Sequence, residues 1–238
     1  MSENTEWSFY DFGDEFDNHV VQHLPGYADV QQLIAGVSRF TVYRNGHVAD
    51  LGSSTGTTAH IIGKTLTERH ITFHLYDEDQ SMLDVAQRKL ADTNHVVRPY
   101  TMDLEVNELQ HTNADLTLCL WVLQFLHPKN RVPLLRRARE ASSDTGAILI
   151  ASKMIHSDPR WADIADSALD EYKQTQGVDD STRLAKTRAL RGTMAAETPA
   201  QISANLLDAG WHSPTTLWSW HSWILIGAFA TPLRQARY

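Results

Sequence analysis

The chain holds a single cysteine, Cys119, among 238 residues. That excludes an intrachain disulfide, a CxxC redox pair and a thiolate zinc cluster. A chain of this size buries roughly 70–75% of its unfolded surface and needs no such staple to hold a core. Long hydrophobic runs are missing too. The longest, Trp223–Ala230, is strand-sized and far short of the roughly 20 residues that span a bilayer, so an integral membrane role is not expected. The first residues, Met-Ser-Glu-Asn-Thr-Glu, lack the basic-then-apolar pattern of a signal peptide, and a cytoplasmic location is expected. Positive charge is in deficit: Lys+Arg 21 stand against Asp+Glu 29, a net −8. That argues against affinity drawn from broad contact with phosphate backbones, and direct nucleic-acid binding is not expected. Basic residues do gather in two places. Lys129, Arg131, Arg136, Arg137 and Arg139 read as a solvated helix face, whereas Lys186, Arg188 and Arg191 suit either a solvated face or the approach of an acidic ligand. No repeat period or low-complexity tract appears, which argues against solenoids and long linkers.

What is present is an alternation of short apolar runs with helix-length amphipathic segments. His47–Leu51 precedes Thr57–Leu66, Ile71–Tyr76 precedes Gln80–Ala91, and Leu116–Leu123 precedes Asn130–Ala141, with Ala147–Lys153 following and Val96–Tyr100 supplying one more short strand. This rhythm predicts a Rossmann-like α/β fold, a mostly parallel sheet with helices on both faces. Thr215–Trp220 and Ser222–Ala230 are strand-like and nearly contiguous, so they must pair as an antiparallel C-terminal hairpin, which brings the sheet to seven strands. Between the fifth strand and a helix over Pro199–Ala209 lies an insertion, about 155–198, that reads as two polar helices, Arg160–Gln174 and Asp180–Met194, around Gly177. At the carboxyl end of a sheet strand such an insertion overlies the ligand site, as a lid, a dimer contact, or both. The first 40 residues or so read as a helical cap on the same single domain.

The chemistry is concentrated at strand ends. In His47-Val-Ala-Asp-Leu-Gly-Ser-Ser-Thr-Gly56 an apolar strand ends in Asp50, and Gly52 and Gly56 frame a turn into a helix. Glycine there lets backbone pass close to a ligand, and the helix start offers unpaired N–H donors. The next strand ends in Asp77, the place of a carboxylate that accepts ribose hydroxyls. The turn lacks the third glycine of GxGxxG, and no GxxxxGK[ST] occurs, so pyrophosphate cofactors and nucleoside triphosphates are disfavoured and an adenosine ligand without phosphates is preferred. A third strand ends at Asp103-Leu104, where a carboxylate can accept from an adenine amino group while Leu104 and Met82 sandwich the ring.

These residues, Asp50-Leu-Gly-Ser-Ser-Thr-Gly56, Asp77, Asp103-Leu104 and the hairpin after Ala209-Gly-Trp211, resemble the class I S-adenosylmethionine-dependent methyltransferases over almost the whole chain. Within that class Leu24-Pro-Gly-Tyr27, Tyr76-Asp-Glu-Asp-Gln-Ser-Met-Leu83 and Leu123-Gln-Phe-Leu-His-Pro128 are most similar to the carboxy-S-adenosylmethionine synthase family. The resemblance implies that Gly52, Ser53 and Ser54 hold the methionine end of the cofactor, that Asp77 and Glu78 hold the ribose, that Asp103 and Leu104 hold the adenine, and that Tyr27 closes over the site. Two positions depart from the family pattern. Leu120 stands where the family has an asparagine, so one polar cofactor contact is missing. The family's arginine toward the extra carboxylate of its cofactor falls on Thr187, with Arg188 one residue away. At that site Arg188 offers a bidentate partner to a carboxylate on the cofactor or on an acidic substrate; Thr187 leaves the carboxylate unpaired.

The expectation is an S-adenosyl-L-methionine-dependent methyltransferase acting on a small molecule, with Tyr27, Trp121 and Arg188 toward the substrate and no catalytic residue assigned. One alternative implied by the resemblance is prephenate-dependent carboxylation of the cofactor to carboxy-S-adenosyl-L-methionine, for tRNA wobble-uridine modification. The other is a non-catalytic S-adenosylmethionine-binding subunit. His19 and His23 share a metal-ligand spacing but lack a third ligand, so no metal is expected. Trp218 and Trp220 point to one side of their strand, toward a helix or a dimer partner, and Cys119 is expected to be buried and inert. A homodimer through the 155–198 insertion is the expected assembly.

Overall fold

The computed structural model of the protein describes residues 16–189 and 192–232. Two helices, α1 (Phe16–His23) and α2 (Tyr27–Thr41), precede the alternating region. It runs β1 (His47–Leu51), α3 (Thr57–Thr65), β2 (Thr72–Asp77), α4 (Gln80–Leu90), β3 (Val96–Thr101), β4 (Ala114–Leu120), α5 (Pro128–Glu140) and β5 (Ser142–Lys153). The insertion supplies α6 (Pro159–Thr175) and α7 (Asp180–Ala189), and α8 (Pro199–Asp208), β6 (His212–Trp220) and β7 (Trp223–Phe229) complete the chain. The helix starts are written locally: the Asp79 carboxylate accepts from the Ser81 N–H at 2.7 Å, and Thr198 and Gln201 form a reciprocal capping box behind Pro199.

The sheet order is β3-β2-β1-β4-β5-β7-β6, with the first five strands parallel and β7 antiparallel between β5 and β6. Strand order reverses between β1 and β4, and it is outside the carboxyl ends of strands at such a switch point that ligands bind. Alternate residues of the central strands feed two cores. Leu116, Leu118, Leu149 and Phe73 pack with Ile34, Ile62 and Leu83 of α2–α4. Cys119, Ile148, Ile150 and Ile226 pack with Leu134, Leu135 and Leu206 of α5 and α8. Both faces are therefore covered, which is why the parallel strands read as continuous apolar runs.

β5 and β6 begin earlier than expected, at Ser142 and His212, and three further details differ from the sequence expectation. The fourth strand stops at Leu120 rather than Leu123, because Trp121 takes a left-handed φ of 59° while its N–H donates to the Ala151 carbonyl at 2.6 Å. A short 3-10 turn over Leu123–Phe125 follows. The second insertion helix is described over Asp180–Ala189, short of the expected Met194, and by Ala195 the chain has reached the loop after β4, where the Ala195 N–H donates to the Gln124 carbonyl at 2.8 Å. The basic face of α5 is only partly solvated. Arg131 is 1% exposed, pairs with Glu197 at 2.9 Å and donates to the Ala195 carbonyl at 2.6 Å. It is buried because the returning chain lies across α5. Among the described residues no helix is long and apolar enough to cross a membrane.

Candidate active site

A cavity of about 570 Å³ opens at the carboxyl ends of β1, β2 and β4, bounded also by α1, the start of α2 and the insertion. That is within the range of small-molecule sites. Its first wall is made by the loop after β1. Gly52 adopts a φ of 77°, and a Cβ there would lie 2.3 Å from Val122 Cγ2, so only glycine lets the two loops meet. The Gly52 and Ser53 N–H groups both donate to the Tyr76 carbonyl at 2.8 Å, which ties the turn to β2. The Ser53 hydroxyl is buried and has no hydrogen-bond partner among the described residues. The loop thus offers a cradle and a free hydroxyl to a polar ligand.

Three acids line the wall that this loop shares with β2 and β3. Asp50 is buried, and burial followed by the nearby Asp77 pushes its carboxyl up to about 7. Asp77 accepts from the Ser54 N–H at 2.8 Å and the Asp79 N–H at 3.1 Å. Its carboxyl is raised by burial, partly offset by those donors. A carboxylate has about four lone-pair positions, so two stay available to a ligand. Asp103 sits after β3 with Leu104 beside it, and Arg137 donates to the Leu104 carbonyl, fixing that loop from beneath. Met82 is buried against the Ser54 hydroxyl, its sulfur 3.8 Å away.

α1 is latched over this wall. Asp17 meets Lys89 Nζ at 2.6 Å and accepts from the hydroxyls of Thr55 at 2.6 Å and Thr57 at 2.9 Å. Burial would raise the Asp17 carboxyl, yet these donors together hold it below the usual carboxylate range. Tyr27, at the start of α2, places its ring 5.0 Å from that of Trp121. Burial, then the Asp17 charge, raises the Tyr27 phenol above its ordinary value.

Tyr27, Asp50, Gly52, Ser53, Ser54, Asp77, Glu78, Met82, Asp103, Leu104, Leu120 and Trp121 are all brought to this cavity. Two expected site residues are not. Gly56 packs α3 on α4, where a Cβ would lie 2.7 Å from that of Ala86. Arg188 stands exposed on α7, off the cavity wall, and the Thr187 side chain lies outside the described residues, as does that of His19. His23 is buried in the wall, and no cluster of three or more His, Cys, Asp or Glu able to hold a metal occurs among the described residues. Trp218 packs on Gly26 at the start of α2, Trp220 meets Tyr172 of α6, and Cys119 is buried, its thiol pushed up to about 12 first by burial.

Sequence reasoning missed Asp17, Gln124, Lys153, Leu169, Lys173, Met194 and Trp223, which also line the cavity. Only Lys153 left a signal, a charge closing an apolar strand as Asp50 and Asp77 do.

The family model for a methyltransferase domain matches residues 49–148, from β1 into β5. The apo structure of the S-adenosylmethionine-dependent methyltransferase SibL superposes with a TM-score of 0.64 at 16% identity, covering 96% of this chain and 63% of that one. Human N-acetylserotonin methyltransferase superposes at 0.61 with 15% identity, covering 96% of this chain and 60% of its own. The chain thus spans less than two thirds of either structure. These likenesses define a class I methyltransferase fold. Carboxy-S-adenosyl-L-methionine synthase of Helicobacter hepaticus is 30% identical over 213 residues, 86% of each chain. The chain belongs to the carboxy-S-adenosyl-L-methionine synthase family, and with it to the S-adenosyl-L-methionine-dependent transferases.

Proposed function

We propose that the protein transfers the methyl group of S-adenosyl-L-methionine to a small molecule. The observation that carries this reading is one cavity with two unlike walls. One is acidic, of the kind that suits the hydroxyl and amino groups of an adenosyl amino acid; the other is aromatic and cationic and faces the same space. In this reading the Gly52–Ser54 loop holds the methionine end, with the unpartnered Ser53 hydroxyl as one donor. Asp77 and Glu78 accept the ribose hydroxyls. Asp103, with Leu104 and Met82, brackets the adenine. Once bound, the cofactor supplies a methyl group made electrophilic by a positively charged sulfur. The protein's task is then to orient the acceptor and exclude water, because no covalent help from the chain is needed. Tyr27, Trp121 and the latched α1 are suited to that closure.

The 30% identical relative favours a second reading, carboxylation of the cofactor itself. Mass spectrometry of the small molecule released on denaturing the purified protein separates the two. S-adenosylmethionine or its demethylated product is expected for methyl transfer, and a carboxylated cofactor would establish the second reading. Absence of any adenosyl compound, with no S-adenosylmethionine binding by calorimetry, would overturn both. The exposed Trp161, Ile164 and Leu184 of the insertion support a proposed homodimer contact, which a mass measurement in solution tests.

A further inference from the structure

The loop after β4 carries a strained residue into the cavity. Trp121 takes a left-handed φ of 59°, which a bulky side chain keeps only where its surroundings impose it. Both of its main-chain groups are pinned. The N–H donates to the Ala151 carbonyl at 2.6 Å, and the carbonyl accepts from Nε2 of Gln124 at 2.8 Å. Gln124 is 2% exposed, and its Oε1 accepts from the hydroxyl of Ser152 on β5 at 3.0 Å. Chemistry fixes which way the amide points. Turned over, its oxygen would face the Trp121 carbonyl oxygen, whereas the Ser152 hydroxyl, which also lies 3.1 Å from the Lys153 carbonyl, serves either role. The main chain of Gln124 is held as well, because its carbonyl accepts from the Ala195 N–H at 2.8 Å, next to the Met194 that lines the cavity.

The strained backbone sets what meets across the cavity. The Trp121 ring lies 5.0 Å from that of Tyr27, at an interplanar angle of 35°. Tyr27 is braced in turn. Gly26 before it has a φ of 69°, and a Cβ there would lie 2.5 Å from Trp218. Val122, next after Trp121, fills the space that a Cβ at Gly52 would need, so the loop also presses on the turn after β1. Glycine or asparagine would take the left-handed conformation with less strain but would present no aromatic ring to Tyr27. The strain therefore keeps an indole where another residue type would sit more easily, and the buried Gln124 amide is the side chain bonded to the strained residue.

We propose that Gln124 is a positioning residue of the site: its amide holds Trp121 in the left-handed conformation, and Trp121 with Tyr27 then closes the cavity over the bound cofactor. The inference rests on the functional reading above, in which the cavity holds S-adenosyl-L-methionine. Gln124 acts through Trp121 rather than on the reacting atoms. Two properties follow. Loss of the amide loosens the Trp121 ring whether or not a ligand is bound. It speeds cofactor release only while that ring is there to be positioned.

Fluorine NMR of the full chain labelled with 5-fluorotryptophan reads the first property, the Trp121 line being the one lost in Trp121→Phe. In Gln124→Leu that line should broaden or split while the lines of the other tryptophans keep their widths. Ser152→Ala, a milder change that takes the donor from Oε1, should broaden it less. Stopped-flow displacement of S-adenosylmethionine reads the second property. Trp121→Ala and Gln124→Leu should each raise the dissociation rate about tenfold, as for the loss of one hydrogen bond or ring contact, and the double variant should be no faster than either. A Trp121 line unchanged in both Gln124→Leu and Ser152→Ala would overturn the proposal. So would unchanged release in Gln124→Leu, or a rise of about a hundredfold in the double variant, which is the additivity of independent residues. Should Gln124→Leu fail to fold, Ser152→Ala decides alone: faster release in the wild-type background and none in Trp121→Ala is expected, and an equal effect in both overturns the proposal. Failure of S-adenosylmethionine to bind the wild-type protein, alongside a Trp121 line that answers to Gln124→Leu or Ser152→Ala, would overturn the functional reading and leave the positioning of Trp121 standing.

Discussion

The two walls of the cavity are built by different means. The acidic wall is made of strand ends and the turns that follow them. Asp50 and Asp77 close adjacent strands, and main-chain N–H groups of Gly52, Ser53 and Ser54 tie the turn to β2. The opposite wall is assembled by side chains from β5, α6, the returning chain at Met194 and β7. The first wall is rigid because the backbone itself makes the bonds. The second depends on an insertion being held in place, and the buried Arg131–Glu197 pair holds one end of it to α5. The lesson is that within one site a fixed part and an adaptable part can be served by different levels of structure.

The strongest test of that contrast is Arg131→Ala. It takes the guanidinium from the Glu197 carboxylate, which keeps only Asn205 among the described residues, and from the Ala195 and Leu126 carbonyls, and a loss of about 3 kcal/mol in urea unfolding is expected, as for a broken buried ion pair. A loss under about 1 kcal/mol would mean that the insertion is held by other contacts. Asp77→Ala comes next. It removes the proposed ribose acceptor and the partner of the Ser54 N–H together. S-adenosylmethionine affinity should fall roughly a hundredfold by calorimetry, about two charge-assisted hydrogen bonds at the low end of their range, with the circular dichroism spectrum unchanged. Unchanged affinity would remove the ribose from this wall.

A third test concerns the sheet beneath the acidic wall, where His74 shares a hydrogen bond with His47 at 2.9 Å and lies against His111 and Tyr100. Burial first, then the neighbouring histidines, push His74 down to about 3 and His111 to about 4. The sign follows from linkage. Below about 6.5 the unfolded chain takes up protons that the native one refuses, so this contribution is complete above that pH and is lost as pH falls toward the native values. Relative to His74→Gln, which cannot titrate, the wild-type protein should lose about 2 kcal/mol of unfolding free energy between pH 7.5 and pH 5. A pH-independent difference would place the ring in contact with solvent. The smallest effect is expected for Arg188→Ala. Because Arg188 is exposed and off the cavity wall, S-adenosylmethionine affinity should stay within about twofold. A larger loss would bring Arg188 to the cavity.

Legibility followed the same division. Asp50, Asp77 and Asp103 were readable because an acid ending an apolar run is visible along the chain, and Gly52 because a glycine after such a run marks a turn. Gly56 obeyed the same pattern for another reason, the close packing of α3 on α4. Arg131 and Arg137 were read as solvated because a helix rich in arginine looks amphipathic whether or not another segment later covers it. Trp121 was placed near the substrate by its position after β4, yet its left-handed backbone, which ends that strand three residues early, carried no sequence signal.

By itself the sequence determined the α/β alternation, the antiparallel finish and the acidic strand ends. All three follow from periodicity and from residue type at a boundary, which are local properties. Only the tertiary structure decided what faces the acidic wall. Lys153, Lys173 and Trp223 are far apart along the chain and become one surface when α6 packs beside β5 and β7. The physical reason is that a parallel sheet fixes its strand ends through short-range hydrogen bonding, whereas the position of an insertion rests on long-range contacts that exist only after folding.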